Sequence, residues 1–329
     1  MTKKMTAEDT GTTLEHRIGP RGRFALHLAS GEVSVRGVEG DTARVRSLDG
    51  RGLSSVFNIE TGDDSLELHP IEKLGLGIFG RRGGAELEVD VPHGATVAID
   101  TQSADVEARD LSGEKSFRSA SGEVTLTRLA GPVEVETVSG EIEIVGQAPI
   151  DLVAKSVSGD VDVRVPSIRK LSLGTTSGDV RIDAGLSGDG PFAVRTISGD
   201  VIVVGRTGFR VEAESITGDL SSDVPSKRES MPGRKILVVG RPGPTLSFRS
   251  VSGDFHVAQP RDAAPEVDAD APAPAATPAR VAVAAGAAAA ARVDADARRM
   301  TILRALERGD ISVAEATDRL SRLDDEVLP

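Results

Sequence analysis

A four-residue phrase, Ser/Thr-Gly-Asp/Glu-apolar, recurs along the chain and restricts its fold more than any other feature. The phrase occurs nine times, counting one degenerate copy in which Ala104 stands at the glycine position. From Ala104 to Gly218 the steps between copies are 18, 18, 19, 19, 21 and 19 residues, and a last copy at Gly253 follows after 35. A period of this length indicates a repeat architecture in which each unit stacks on the next.

Residue types keep fixed places around the glycine of each copy. The residues five before and two after the glycine are apolar throughout, and the residue three before it is Ser or Thr in every copy but the first, which has Leu28. Since spacing by twos is the strand period, each unit of about 19 residues is predicted to be two short strands joined at a Ser-Gly-Asp corner, where glycine can adopt a positive φ. The residues five before the glycine are Leu26, Ile99, Phe117, Val135, Ala154, Leu173, Val194, Ala213 and Phe248.

One such unit exposes its apolar face, and stacking successive units buries it. We therefore expect an all-β fold, a β-solenoid or closely related strand-repeat array with about 19 residues per coil. The interior of such a stack is narrow and suits small aliphatic side chains, in keeping with 8 Phe, no Trp and no Tyr among 329 residues. The column of hydroxyl residues predicts a Ser/Thr hydrogen-bond ladder at the corner.

Acidic residues follow the glycine and would lie about 4.8 Å apart in adjacent coils. Capping of the turns by these carboxylates is the favoured interpretation, and a ladder of bound cations such as calcium stays open as an alternative. The nonapeptide spacing of calcium-loaded β-rolls is absent, as is the six-residue periodicity of left-handed hexapeptide helices. The column comprises Glu123, Glu141, Asp160, Asp179, Asp200 and Asp219.

The segment VPHGATVAIDT, residues 91–101, leads into the chain of Ser-Gly-Asp/Glu-Val units. In this respect residues 14–258 resemble the bacterial putative-adhesin β-strand-repeat family, known as domain of unknown function 4097. The resemblance implies a strand-repeat fold without an assigned set of catalytic residues. It also implies a link to the bacterial cell envelope or its stress response.

Composition divides the chain further. The stretch between Ile71 and Gly84 is apolar, rich in glycine and without a phosphate-binding motif, so we expect a local structural loop, with partner or membrane-surface contact as the alternative. Its contact residues would be Leu74, Leu76, Ile78 and Phe79. A polar segment, Ser226 to Lys235, is expected to be a solvated loop. The predicted divisions are a disordered N-terminus (1–13), N-terminal strands forming a cap with the Gly-rich loop (14–84), the repeat domain (85–258), an Ala/Pro-rich linker (259–297) and a helical hairpin (298–325).

Residues 298–325 have the pattern of two short amphipathic helices separated at Gly309. Ile302, Leu303 and Leu306 share one face of the first helix, and Leu320 continues the apolar stripe on the second. The segment resembles the short C-terminal (SHOCT-like) helical domain of many bacterial proteins. That resemblance implies oligomerisation or docking to a protein partner, and folding back as a cap on the repeat domain is the alternative.

Several kinds of function are excluded or disfavoured. The absence of Cys rules out disulfides, thiolate metal sites and cysteine nucleophiles. The five histidines show no metal-ligand spacing, no GxSxG motif occurs, and a net charge of −12 disfavours nucleic acid. We therefore expect no cofactor and no metal. With no apolar run long enough for a signal peptide or a membrane span, a cytoplasmic location is expected, and peripheral membrane contact stays open.

These observations favour a non-enzymatic β-repeat scaffold whose tethered hairpin oligomerises or docks to a partner. One alternative is a bactofilin-like element that polymerises by end-to-end stacking of coils. A second is a carbohydrate-active β-helix enzyme with carboxylates on one coil face.

Overall fold

The structure is a computed structural model, and it describes residues 8–9, 11–71, 84–231, 234–241 and 243–260. All of them belong to one unit, residues 1–263. The predicted helical hairpin, and the predicted linker beyond residue 260, lie outside the described residues. Before the regular coils come β1 (Glu8–Asp9), β2 (Thr13–Arg17), β3 (Arg23–Val38), β4 (Thr42–Ser47), a short helix α1 (Leu53–Val56), β5 (Phe57–Thr61), β6 (Ser65–Pro70) and β7 (Ala85–Pro92).

Most of the rest of the described chain is also strand. The regular coils contain β8 (Thr96–Arg109), β9 (Lys115–Ser121), β10 (Val124–Thr127), β11 (Gly131–Ser139), β12 (Ile142–Val145), β13 (Ile150–Ser158), β14 (Val161–Ser177), β15 (Val180–Leu186), β16 (Phe192–Arg195) and β17 (Val201–Val204). The C-terminal part contains β18 (Phe209–Ser215), β19 (Leu220–Ser222), β20 (Ser226–Met231), β21 (Arg234–Val239), β22 (Thr245–Ser250) and β23 (Phe255–Ala258).

The predicted all-β, solenoid-like repeat fold is confirmed. Strands that lead into the corner glycines pair in parallel with one another, and we call this layer sheet A; strands that leave the corners form sheet B in the same way. The register aligns equivalent residues of successive copies, so that Phe117 lies opposite both Ile99 and Val135 in sheet A. In sheet B, Val124 likewise lies opposite Val106 and Ile142.

The core is the space between the two sheets. Each of the nine residues predicted to point inward from sheet A is buried, from Leu26 to Phe248, and so are the apolar residues two after the glycines. Phe248 of sheet A meets Phe255 of sheet B, with ring centroids 5.0 Å apart. The interior thus consists of stacked columns of aliphatic side chains with occasional phenylalanines.

The corner glycines are required because adjacent backbones approach too closely for a side chain. A Cβ placed on Gly159 would lie 2.1 Å from the carbonyl oxygen of Gly140 in the neighbouring coil. The predicted reason, a positive φ, applies to only part of the column, whereas the close approach recurs at every corner glycine of the repeat. Corner glycines with positive φ are Gly31, Gly122, Gly140 and Gly178.

Asp160, Asp179 and Asp200, half of the predicted acidic column, cap backbone groups, but between coils. The Asp160 carboxylate accepts the N–H of Asp179 at 2.8 Å, and the Asp179 carboxylate accepts that of Asp200 at 2.9 Å. Asp254 then donates its N–H to Asp200 at 2.9 Å, and Asp219 donates to Asp254 at 2.7 Å. Each carboxylate therefore fastens its own coil to the next.

The hydroxyl column forms only part of the predicted ladder. Thr101 donates to the Ser119 hydroxyl at 3.0 Å, the one direct bond between hydroxyls of this column that the described residues contain. Because the hydroxyls face the interior, others of the column are buried without a hydrogen-bond partner among the described residues. These are Thr137, Thr175, Thr196 and Ser250.

Coils that are consecutive in sequence are neighbours in space from β8 to β17, but this order breaks at both ends. β22 lies between β16 and β18, and β23 lies between β17 and β19. At the other end β3 lies between β8 on one side and β6 and β7 on the other. The first and last coils of the repeat are therefore each covered by a coil from elsewhere in the chain.

Antiparallel strands complete the two ends. β5 pairs with β6, β4 with β7, and β21 with β18. The expectation of a solvated loop over 226–235 is wrong, because β20 and β21 form a hairpin there, with Glu229 opposite Ile236. Lys227 and Arg228 are exposed on β20, which suits an outer strand that meets water.

One interior column contains a lysine. Lys115 lies between Val97 and Val133 and is 1% exposed. Its ammonium group donates to the carbonyl oxygens of Gly113 at 2.5 Å and Leu111 at 3.4 Å, and also to that of Ala130. Burial lowers the pKa of Lys115 to about 8.

We expect Gly159→Ala to lower the free energy of unfolding by about 1–3 kcal/mol or more, because the added methyl group forces two backbones apart. Gly174→Ala is the matched control, since nothing lies within 4 Å of its Cβ position, and it should change stability by less than about 0.5 kcal/mol. Urea denaturation followed by circular dichroism measures both. Equal stabilities of the two variants would contradict the account of the corner.

Stability should rise with pH above about 8. Between the lowered pKa of Lys115, about 8, and its ordinary value of 10.5, the unfolded chain binds more protons than the folded one. The free energy of unfolding therefore increases by up to about 1.4 kcal/mol per pH unit in this window, and the gain is lost as pH falls through it. Urea denaturation at pH 7.5, 8.5 and 9.5 measures the slope, which Lys115→Met should remove and Lys170→Met, at an exposed lysine, should keep.

Candidate interaction surface

A row of exposed aliphatic side chains runs along the stack beside the corner. Five of the six large apolar side chains that are exposed among the described residues occupy the same repeat position, two before the glycine. Their exposed fractions range from 46% for Val251 to 78% for Ile216. Including one threonine at the equivalent position, the ridge comprises, in spatial order, Val138, Val157, Thr176, Ile197, Val251 and Ile216.

The backbone holds the ridge residues in register. Ser198 donates its N–H to the carbonyl of Thr176 at 2.9 Å, and Ser252 donates to Ile197 at the same distance. Thr217 donates to Val251 at 3.2 Å. Six coils spaced about 4.8 Å apart give the ridge a length of about 24 Å. A contiguous exposed apolar stripe on a regular scaffold is typical of an interaction surface.

Charged rows flank the ridge on both sides. On the sheet B side are the exposed carboxylates of the acidic column. On the sheet A side, two residues before the ridge position, are Lys155, Arg195 and Arg249, with Glu136 and Glu214 at the same position in the two end coils of the ridge. Lys155 pairs with Glu136, and this ion pair raises the pKa of the lysine. Arg249 pairs with Glu214 at 3.1 Å, whereas Arg195 has no carboxylate partner in the part of the chain that the structure describes.

A second arrangement links a serine, a histidine and an aspartate. The Ser221 hydroxyl is 2.9 Å from His256 Nδ1, and His256 Nε2 is 2.9 Å from the Asp223 carboxylate. Register explains the first contact, because Ser221 lies opposite His256 between β19 and β23. The imidazole presents Nδ1 to the hydroxyl, whereas the triad of serine proteases uses Nε2. The carboxylate is 58% exposed, so water weakens the electrostatics that catalysis would need.

Glu60, Glu67 and His69 form a third group, with one potential ligand atom from each lying within 4.8 Å of the others. The pairing of β5 with β6 brings the two glutamates opposite each other. His27 stacks on His69 with ring centroids 4.6 Å apart. Carboxylate and imidazole ligands are chemically suited to a divalent transition metal ion. All three groups are partly or fully exposed to solvent.

A pocket of about 280 Å³ opens at the N-terminal end of the stack. Leu28, Val56, Phe57 and Ile71 form much of its apolar wall, and Arg51 lies at its edge. The residues predicted to make partner contacts lie outside the described residues. They are Leu74, Leu76, Ile78, Phe79, Ile302, Leu303, Leu306 and Leu320.

The sequence already contained the signal for the ridge, since Val138, Val157, Ile197, Ile216 and Val251 all stand two before a glycine of the repeat. The Ser221, His256 and Asp223 group had no such signal, because its members come together only when β23 pairs with β19. The same holds for Glu60, Glu67 and His69. In the described residues, no helix has the length and apolar character that crossing a membrane would require.

The Toastrack DUF4097 family model matches residues 73–258. No curated protein matches the chain.

Solved structures similar to the chain include two putative adhesins. One, from Bacteroides fragilis NCTC 9343, is 12% identical, with 74% of this chain and 95% of that chain covered and a TM-score of 0.43. Another, from Parabacteroides distasonis ATCC 8503, is 13% identical, with 75% and 96% covered and a TM-score of 0.34. A putative lipid binding protein from the same Parabacteroides strain is 10% identical, with 76% and 98% covered and a TM-score of 0.29. At these TM-scores none of the three bears on the function of this chain.

Proposed function

The chain belongs to the Toastrack DUF4097 family, and on that premise we propose that it is a non-enzymatic β-repeat scaffold that binds protein through the ridge. The observation that carries the proposal is the concentration of exposed aliphatic side chains in one row of the repeat. Exposed apolar side chains scattered over a surface need no explanation, but a contiguous row does. A stack of coils whose backbones are fastened together presents that row as a rigid, linear surface.

The proposal includes the segment 298–325 as an oligomerisation or partner-docking element. Its support is the sequence pattern, in which Ile302, Leu303, Leu306 and Leu320 form an apolar stripe on two short helices. A two-helix segment of this length has too small a core to be stable alone and gains stability by binding. A role at the bacterial cell envelope or in its stress response is the biological setting that the resemblance suggests.

End-to-end polymerisation of the bactofilin type receives less support from the ends of the stack. The outer strands β5 and β20 run antiparallel to their neighbours, whereas the coils pair in parallel. On β20, Lys227 and Arg228 are exposed, and charged side chains on an outer strand oppose pairing with another chain. The scaffold proposal therefore places the contact on the side of the stack.

Hydrolysis is the second candidate function, because Ser221, His256 and Asp223 are connected as in a hydrolytic triad. The exposed aspartate and the reversed imidazole argue against it. The scaffold proposal predicts that wild-type protein and Ser221→Ala hydrolyse p-nitrophenyl acetate at the same low rate. A rate at least about 10³-fold lower in Ser221→Ala would instead establish an esterase, because removing a working nucleophile has an effect of that size or larger.

The scaffold proposal is tested by a ridge variant, Val157→Asp combined with Ile197→Asp, in the full-length protein. Each aspartate would place a charge in an apolar contact, and binding should weaken at least about tenfold. Tagged wild-type and variant proteins are compared for the proteins, including untagged copies of this chain, that they retain from cells of the native host. Leu48→Asp is the matched control, because Leu48 is 59% exposed and does not belong to the ridge. Identical retention by all three proteins would exclude the ridge as a binding surface.

A further inference from the structure

We propose that the occupant of the ridge is the ridge of a second copy of this chain, in a parallel dimer whose twofold axis runs along the stack. This inference rests on the proposed function and names its partner. The charged side chains beside the ridge differ in sign between its two sides in three central coils. The ridge residues repeat in register with the coils.

Three of the four central coils carry opposite charges on the two sides of the ridge, and the fourth has Gly174 in place of a cation. On the sheet A side Lys155, Arg195 and Arg249 are exposed, and on the sheet B side the same coils expose Asp160, Asp200 and Asp254. Thus within a coil a cation and a carboxylate lie on either side of one aliphatic side chain. A surface of this kind is asymmetric about its own long axis.

Two twofold arrangements bring one ridge onto another, and the charges distinguish them. In one arrangement the twofold axis lies in the interface and is perpendicular to the ridge. The two copies then run antiparallel, and the carboxylate row of one copy faces the carboxylate row of the other. An axis along the ridge runs the copies parallel, with each coil opposite its equivalent. The cations of three central coils then face carboxylates of the other copy, and only Glu136 and Glu214, in the two end coils, face carboxylates of like charge. Lys155 then faces Asp160 of the second copy, and Arg195 faces Asp200. Opposite charges across an interface favour the second arrangement and disfavour the first.

The area of the ridge and its flanking rows determines how tightly two copies should associate. The ridge is about 24 Å long, and its flanking rows are at most about 16 Å apart along the chain. A standard protein interface buries about 800 Å² per partner, and this contact would bury about half of that. Association should be weak and reversible, so a covalent trap is the appropriate measurement.

The absence of cysteine in this chain makes that trap simple. Val138→Cys and Ile216→Cys place single thiols at opposite ends of the ridge in the full-length protein, and each is oxidised alone and mixed with the other. The parallel dimer predicts that each variant cross-links to itself, with at least about tenfold less of the mixed product. Predominance of the mixed product would show an antiparallel dimer and overturn the proposal. Leu48→Cys, exposed outside the ridge, is the control for random collision.

Charge reversal gives a second measurement that leaves the ridge side chains in place. Arg195→Glu puts two carboxylates opposite each other in the parallel dimer and should reduce the cross-linking of Ile216→Cys severalfold, whereas Arg195→Lys should retain it. Circular dichroism confirms that the variants are folded. Cross-linking of Val138→Cys and Ile216→Cys no greater than that of Leu48→Cys would refute the dimer. In that case the scaffold proposal still stands if Val157→Asp with Ile197→Asp loses bound proteins, and falls if it does not.

Discussion

The close approach of adjacent backbones at the corner glycines is the constraint on which the rest of the structure depends. With the carbonyl oxygen of Gly140 only 2.1 Å from where a Gly159 side chain would begin, the coils with a corner glycine place it against the next coil, and Ala104 is the one exception in the repeat. That contact sets the parallel register, which in turn aligns equivalent residues into columns. Since the columns repeat at about 4.8 Å, the interior suits side chains that stack at that distance. This accounts for an interior of Val, Ile, Leu and Ala with few aromatic rings.

A stack held together in this way exposes unpaired strands wherever it stops. In this chain the first and last coils of the repeat each lie one position in from the end of the stack. A coil from elsewhere in the sequence covers each of them. Antiparallel strands then cover the outer coils in sheet A at both ends and in sheet B at the N-terminal end. Among the described residues β19 of sheet B pairs only with β23. The antiparallel strands interrupt the parallel pattern at the ends, which opposes addition of another chain there. The long sides of the stack are left as the regular surface available for binding.

The interior and the corners were predictable from sequence because period-two patterning and the repeat report on local geometry. Leu26 to Phe248 all lie where the pattern placed them. The order of the end coils was not predictable, since the 35-residue step before Gly253 fits several paths. The predicted hydroxyl ladder forms only in part, because a buried hydroxyl such as that of Thr137 or Thr175 does not always have hydrogen-bond geometry toward its neighbour in the column. Groups formed across strands, such as Ser221 with His256, depend on which strands pair. The spacing of these residues in the sequence does not indicate that they meet.

Strand propensity alone does not explain the ridge. β-branched residues favour strands at any outward position, so propensity would place them equally two and four residues before the glycine. Both positions face solvent on the same side of sheet A, yet the position four before the glycine carries Glu136, Lys155, Arg195 and Arg249. Of the two positions, only the one two before the glycine carries exposed aliphatic side chains, and Ile216 there is 78% exposed. Because exposure is shared and only the chemistry differs, the difference points to an apolar contact made at that row.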